Sequence, residues 1–197
     1  MILFITGGVR SGKSEYAETR ALNLLSRKKH DRLYYIATSH IYDREMKARV
    51  EKHQHQRAKS GANWQVYEQS REIDELLPKF QEGDVILLDC LTTLLSNELF
   101  VGWEINQEKW KSNDFIRELE MKMKRLFTEM AVSSYSVFVV SNEVSYDLPV
   151  KELGTNVYMK LLGRLHQFIV SLASEAILVE HGLPCFKKGG EGSWLES

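Results

Sequence analysis

The stretch that most constrains this chain is Gly7-Gly8-Val9-Arg10-Ser11-Gly12-Lys13-Ser14. It fits G-x-x-x-x-G-K-S/T, the pattern of a phosphate-binding P-loop. Glycine lets the backbone curl until successive N–H groups point inward at phosphate oxygens. In that pattern Lys13 reaches the β- and γ-phosphates, and the Ser14 hydroxyl holds Mg²⁺. A helix starting at the loop adds the positive end of its dipole. The pattern needs a strand before it and a helix after it. Ile2-Leu3-Phe4-Ile5-Thr6 is an almost wholly apolar run, as a buried parallel strand requires. Ala17, Ala21, Leu24 and Leu25 then recur at helical spacing. A glycine turn that binds nothing has no need of that order, so the stretch is read as a nucleotide site.

Strands and helices alternate along the rest of the chain. Leu33 to Ala37 reads as a second strand, ending in Thr38-Ser39-His40. Asp43 is placed to cap a helix running to about Lys59. Trp64 to Tyr67 alternates as a short strand, with Glu68 after it, and Arg71 to Phe80 reads as a short helix containing Pro78. Asp84 to Leu88 is an apolar strand leading into Asp89-Cys90. Leu91 to Phe100 is helical or irregular, and Val101 to Lys111, with Trp103 and Trp110, has no assignable pattern. Asn113 to Met130 is amphipathic, with Phe115, Ile116, Leu119, Met123, Leu126, Phe127 and Met130 on a core-facing stripe. Ser136 to Val140 is a strand ending at Ser141-Asn142-Glu143, and a long helix runs from about Lys151 to Ala173, open to a break near Gly154 or Gly163. Ala176 to Glu180 is a last strand, and the glycine-rich tail 182–197 is expected to be partly mobile. The expectation is an α/β chain with a P-loop nucleotide-binding fold, a mostly parallel sheet with helices on both faces. A single domain over 1–197 is expected, because no linker composition divides it.

Charge narrows the partners. The formal net charge is −1, which gives no electrostatic footprint for nucleic acid or an anionic membrane. No apolar run approaches the roughly 20 residues that span a bilayer. Cys90 and Cys185 lie far apart, as reduced thiols of a cytoplasmic protein would, and the first strand leaves no room for a signal peptide ahead of it.

Two further features carry chemistry. Asp89 ends an apolar strand, the position of the acid that sits beside a P-loop and orders Mg²⁺. In the helix from Asp43, Arg49, His53 and Arg57 are spaced i, i+4, i+8 and share one face. Two permanent cations there make a place for phosphate and disfavour the imidazolium, keeping His53 neutral and nucleophilic. A neutral histidine can attack an α-phosphate and hold a nucleotide covalently. A basic, solvated helix face would show the same spacing. His55 is about 200° round the helix from His53, so a single metal does not readily bind both.

Taken together, these residues resemble the bifunctional adenosylcobinamide kinase / adenosylcobinamide-phosphate guanylyltransferases of cobalamin biosynthesis. The matching pieces are Thr6 through Ser14; Tyr35-Ile36-Ala37-Thr38-Ser39; and Asp43-Arg44-Glu45-Met46 through Arg49, His53 and Arg57. Trp64 with Glu68, Asp89-Cys90-Leu91-Thr92-Thr93 with Asn97, and Ser141-Asn142-Glu143-Val144 complete them, in order and over most of the chain. The resemblance implies phosphorylation of the aminopropanol hydroxyl of adenosylcobinamide by ATP or GTP. It also implies GMP transfer from GTP, through a guanylylated histidine, to adenosylcobinamide phosphate. It places that histidine at His53. By resemblance the nucleotide is bound by the P-loop, by Ala37, Thr38 and Ser39, by Gln54, His55, Gln56 and Arg57, and by Glu68 and Asp89. A homo-oligomer, a trimer, is expected on the same ground. The chain departs from the family pattern at Ser145-Tyr146-Asp147-Leu148-Pro149, Asn156-Val157-Tyr158-Met159-Lys160 and Gly163-Arg164-Leu165-His166-Gln167.

Two other readings fit the bare motifs. One is a P-loop kinase or nucleotidyltransferase acting on another alcohol or phosphate ester. The other is a non-catalytic nucleotide-sensing module, which would need Lys13 and Ser14 but not His53.

Overall fold

A computed structural model of the chain describes residues 1–25, 32–39, 61–103, 105, 108–144 and 152–190. Their centre is a seven-stranded sheet in the order β3-β2-β4-β5-β1-β6-β7. The strands are β1 (Ile2–Gly7), β2 (Leu33–Ala37), β3 (Trp64–Glu68), β4 (Val85–Asp89), β5 (Ser136–Asn142), β6 (Glu175–Glu180) and β7 (Leu183–Lys188). All neighbours pair in parallel except β7, which runs antiparallel to β6.

The central strands are apolar at nearly every position because both faces of the sheet are covered. One face, with Phe4, Ile36, Leu88 and Val139, packs against three helices, α2 (Leu91–Leu99), α3 (Asn113–Val132) and α4 (Leu153–Leu172). The other, with Leu3, Ile5, Leu87 and Val140, packs against Ala17 and Ala21 of α1 (Lys13–Leu25). Two alanines on the buried stripe let α1 lie close to the strands. In α3 the Ser112 hydroxyl accepts from the Phe115 amide at 3.3 Å, capping the first turn, and Leu119, Met123, Leu126, Phe127 and Met130 are buried.

The α/β expectation and most element positions match this architecture. The differences are local. Residues 73–79 form a 3-10 helix, Ile73–Lys79, entered through the left-handed Glu72. The long helix α4 is unbroken. A Cβ at Gly163 would meet nothing, and one at Gly154 would make ordinary contact with the rings of Phe100 and Trp110, so neither glycine is forced by its surroundings. In the segment without pattern, Trp110 is buried and stacks on Trp103 with centroids 6.2 Å apart. The tail is not uniformly mobile, because 183–188 forms β7. A two-residue turn makes this possible: His181 and Gly182, at φ 52 and 80, both occupy the left-handed region that a tight hairpin requires. Residues 191–197, and the expected helix from Asp43 to Lys59, lie outside the described residues.

Candidate functional site

In a parallel sheet the loops at the carboxyl ends of the strands share one edge, and ligands bind there. The P-loop leaves β1 at Gly7, where a Cβ would collide with the Val179 carbonyl oxygen, so the close approach of β6 requires glycine. Arg10 and Gly12 take left-handed φ values of 62 and 90, and the Ser11 amide donates to the Gly8 carbonyl at 3.2 Å. Lys13 is 7% exposed and its Nζ donates to the Gly8 carbonyl at 3.0 Å, which draws the ammonium back across the loop. Ser14 follows at the second position of α1, whose dipole points its positive end at the loop.

The loop has a brace that the sequence did not signal. The Gly182 amide, at the tip of the β6–β7 turn, donates to the Ser11 carbonyl at 2.8 Å, and a Cβ at Gly12 would stand 3.2 Å from Gly182 Cα. The hairpin, whose second strand lies in the tail expected to be partly mobile, therefore backs the phosphate loop.

At the ends of β2, β3 and β4, Ala37 pairs with both Glu68 and Asp89. Paired residues of parallel strands project to the same side, so the two carboxylates flank the small Ala37 on the α1 side of the sheet. The Tyr35 hydroxyl, two residues earlier on that side, donates to Asp89 Oδ2 at 2.9 Å. Thr38 is fully buried. Its amide donates to the Asp89 carbonyl, its hydroxyl contacts both the Cys90 amide and carbonyl at 2.8 and 2.9 Å, and its own carbonyl accepts from Asn97. With its amide, hydroxyl and carbonyl all engaged, Thr38 fixes the loop between Ala37 and Ser39.

The strand that carries Asp89 is not the neighbour of the P-loop strand. β5 runs between β4 and β1, so Asp89 and the P-loop strand are two strand spacings apart, about 10 Å. The intervening strand brings Ser141, Asn142 and Glu143 to the same edge, none of which had been assigned a role. Asn142 pairs with Gly7 and donates to Thr92 Oγ1 at 2.9 Å, and the Glu143 amide donates to the Gly7 carbonyl at 2.9 Å. Ser141 Oγ lies 2.8 Å from His166 Nε2 in α4, and burial lowers the His166 pKa although Glu143 opposes it. Burial, and the Asp89 carboxylate next to it, push the Cys90 thiol up against the opposing hydrogen bonds of Thr92 and Thr93, which makes it a poor nucleophile.

The edge thus gathers Gly7, Gly8, Val9, Arg10, Ser11, Gly12, Lys13, Ser14, Ala37, Thr38, Ser39, Glu68 and Asp89. Arg49, His53, Gln54, His55, Gln56 and Arg57 lie outside the described residues. Among the described residues no three His, Cys, Asp or Glu side chains converge as a metal cluster, and no helix is long and apolar enough to cross a membrane.

Residues 3–186 match the family described as cobinamide kinase / cobinamide phosphate guanyltransferase. The chain is 32% identical to the bifunctional adenosylcobalamin biosynthesis protein CobU of Salmonella typhimurium, over 93% of this chain and 97% of that one. It is 30% identical to the protein of the same name from Escherichia coli K12, with the same coverage. Among solved structures, a Pyrococcus horikoshii OT3 protein aligns with a TM-score of 0.49 at 9% identity, covering 96% of this chain and 87% of that one.

Proposed function

The chain belongs to the cobinamide kinase / cobinamide phosphate guanyltransferase family, and from that premise we propose that it carries out both reactions through the residues gathered at the sheet edge together with His53. In the first, the aminopropanol hydroxyl of adenosylcobinamide attacks the γ-phosphate of ATP or GTP and a nucleoside diphosphate leaves. In the second, His53 attacks the α-phosphate of GTP, an N–P bond forms and pyrophosphate leaves. A phosphate oxygen of adenosylcobinamide phosphate then displaces the histidine, giving adenosylcobinamide-GDP.

The observation that carries this reading is a formed P-loop in a chain that matches the family from residue 3 to 186. Lys13 and the loop amides would bind the phosphates, and Glu68 and Asp89, with Ala37 between them, would face the rest of the nucleotide. Arg49 and Arg57 would hold the phosphate at His53 and keep its imidazole neutral.

Mg²⁺ fits the donors present. Ser14 and Asp89 offer a hydroxyl and a carboxylate, hard oxygen ligands, and among the described residues only Tyr35 takes an oxygen of Asp89. When bound, the ion would neutralise charge on the phosphates. A homo-oligomer, a trimer by resemblance, and a cytoplasmic location belong to the same reading.

Incubation with α-labelled GTP and Mg²⁺, with and without adenosylcobinamide phosphate, tests it. Acid-labile label should remain on the protein without acceptor and pass to product with it. Saturable GTP binding with no retained label would favour a nucleotide-sensing module.

A further inference from the structure

Serine, asparagine and glutamate at 141–143 take no part in the scheme above, although β5 places them between the Asp89 strand and the P-loop strand. The amide of half-buried Glu143 is bonded to the Gly7 carbonyl, so the residue is anchored where the phosphate loop begins. Side chains alternate along β5: Val140 packs on the α1 side, and Ser141 contacts His166 of α4 on the other. Glu143 lies just past the end of β5, held there by the hydrogen bond of its amide to Gly7. Its charge is felt by His166 of α4, which puts the carboxylate toward that helix.

The P-loop turns the other way, into α1. Donor phosphates held by the loop and α1 would therefore have Glu143 across from them, on the side walled by α2 and α4. That wall is stitched together: Tyr158 of α4 donates to the Thr92 carbonyl at 3.0 Å, and Asn142 donates to the Thr92 hydroxyl of α2 at 2.9 Å. A second substrate entering along this wall would meet the phosphates with a carboxylate at hand.

We propose that Glu143 is the general base of the phosphoryl-transfer step, an inference that rests on the family reading above. The proton of the acceptor hydroxyl moves to the Glu143 carboxylate as the oxygen–phosphorus bond forms. The bond from the γ-phosphorus to the bridging oxygen breaks, and a nucleoside diphosphate leaves. Neither guanylyl step makes the same demand. The first has a neutral imidazole as nucleophile, and the second has a phosphate oxygen that is already ionised. Glu143 is thus required by one reaction of the two.

The test compares Glu143→Gln and Glu143→Asp with wild-type full-length protein in two assays. These are transfer of labelled γ-phosphate to adenosylcobinamide, and covalent capture of labelled GMP from GTP without acceptor. For Glu143→Gln, kcat of phosphoryl transfer should fall by a factor of about 100 or more, with the nucleotide KM and GMP capture little changed. Glu143→Asp, which keeps a carboxylate, should recover part of the rate. Near wild-type phosphoryl transfer by Glu143→Gln overturns the proposal, and so does equal loss of both activities, which marks a structural role. Wild-type protein that phosphorylates no adenosylcobinamide removes the family reading first, and the base with it.

Discussion

Replacing Asp89 by asparagine separates its proposed part in catalysis from its part in folding. The carboxylate accepts from Tyr35, a buried phenol 2.9 Å away. Asparagine is nearly isosteric and still offers a carbonyl oxygen to that donor. The bond changes from charge-assisted, about 1.5–3 kcal/mol, to neutral, about 0.5–1.5 kcal/mol. The stability loss should then be about 1 kcal/mol, or about 2–4 °C in Tm for a chain of this size. If Asp89 holds the metal beside the phosphates, losing its charge should slow turnover at least about 100-fold, equivalent to about 2.7 kcal/mol in the transition state. Thermal melts and kcat/KM, measured side by side at saturating Mg²⁺, read the two effects. Tyr35→Phe is the control: it removes that hydrogen bond altogether but keeps the carboxylate, so it should lose at least as much stability and keep most activity. Asp89 is structural if the activity of Asp89→Asn falls only as far as its folded fraction, or if Tyr35→Phe is equally inactive.

Lys13→Ala should abolish nucleotide binding and both reactions, since Lys13 is the lysine that the loop pattern aims at the phosphates; GTP binding at wild-type affinity in equilibrium dialysis would remove the P-loop assignment. The half-buried His166 should make stability depend on pH. Its folded pKa is lowered by burial, so below the unfolded value of about 6.5 the unfolded state takes up the proton first. This contribution is retained above about pH 6.5 and lost as the pH falls from there through the lowered folded pKa. Melts between about pH 7.5 and 5.5 should show a smaller decline for His166→Gln, which can still bond Ser141 and cannot titrate; equal declines would contradict the account.

The strands that place the site were legible because burial on both faces forces them to be apolar. Ile2–Gly7, Leu33–Ala37 and Val85–Asp89 stand close to where hydrophobic runs put them. The P-loop was legible because its glycines and lysine occupy fixed offsets. Tertiary contacts were not. Nothing local to Pro184 or Gly182 announces that 183–188 joins the sheet, because the strand exists through pairing with β6 and a turn of two left-handed residues. Strand order was equally hidden: that β5 lies between the strand of Asp89 and the strand of the P-loop is set by long-range pairing. For the same reason the motif at 141–143 was visible as a motif, while its place beside Gly7 was not. Thr38 matched a binding pattern, while the buried hydrogen bonds by which it also holds the loop were not visible in the sequence.

The central claim, that GMP passes through the enzyme on a histidine, is tested most directly by mass spectrometry of the protein after reaction with GTP and Mg²⁺. The account predicts one GMP adduct, on His53, stable to base and lost in acid. The adduct should vanish in His53→Ala while GTP binding persists, and should remain in His55→Ala. An adduct on His55, His40 or a lysine, or none under any condition, would contradict it.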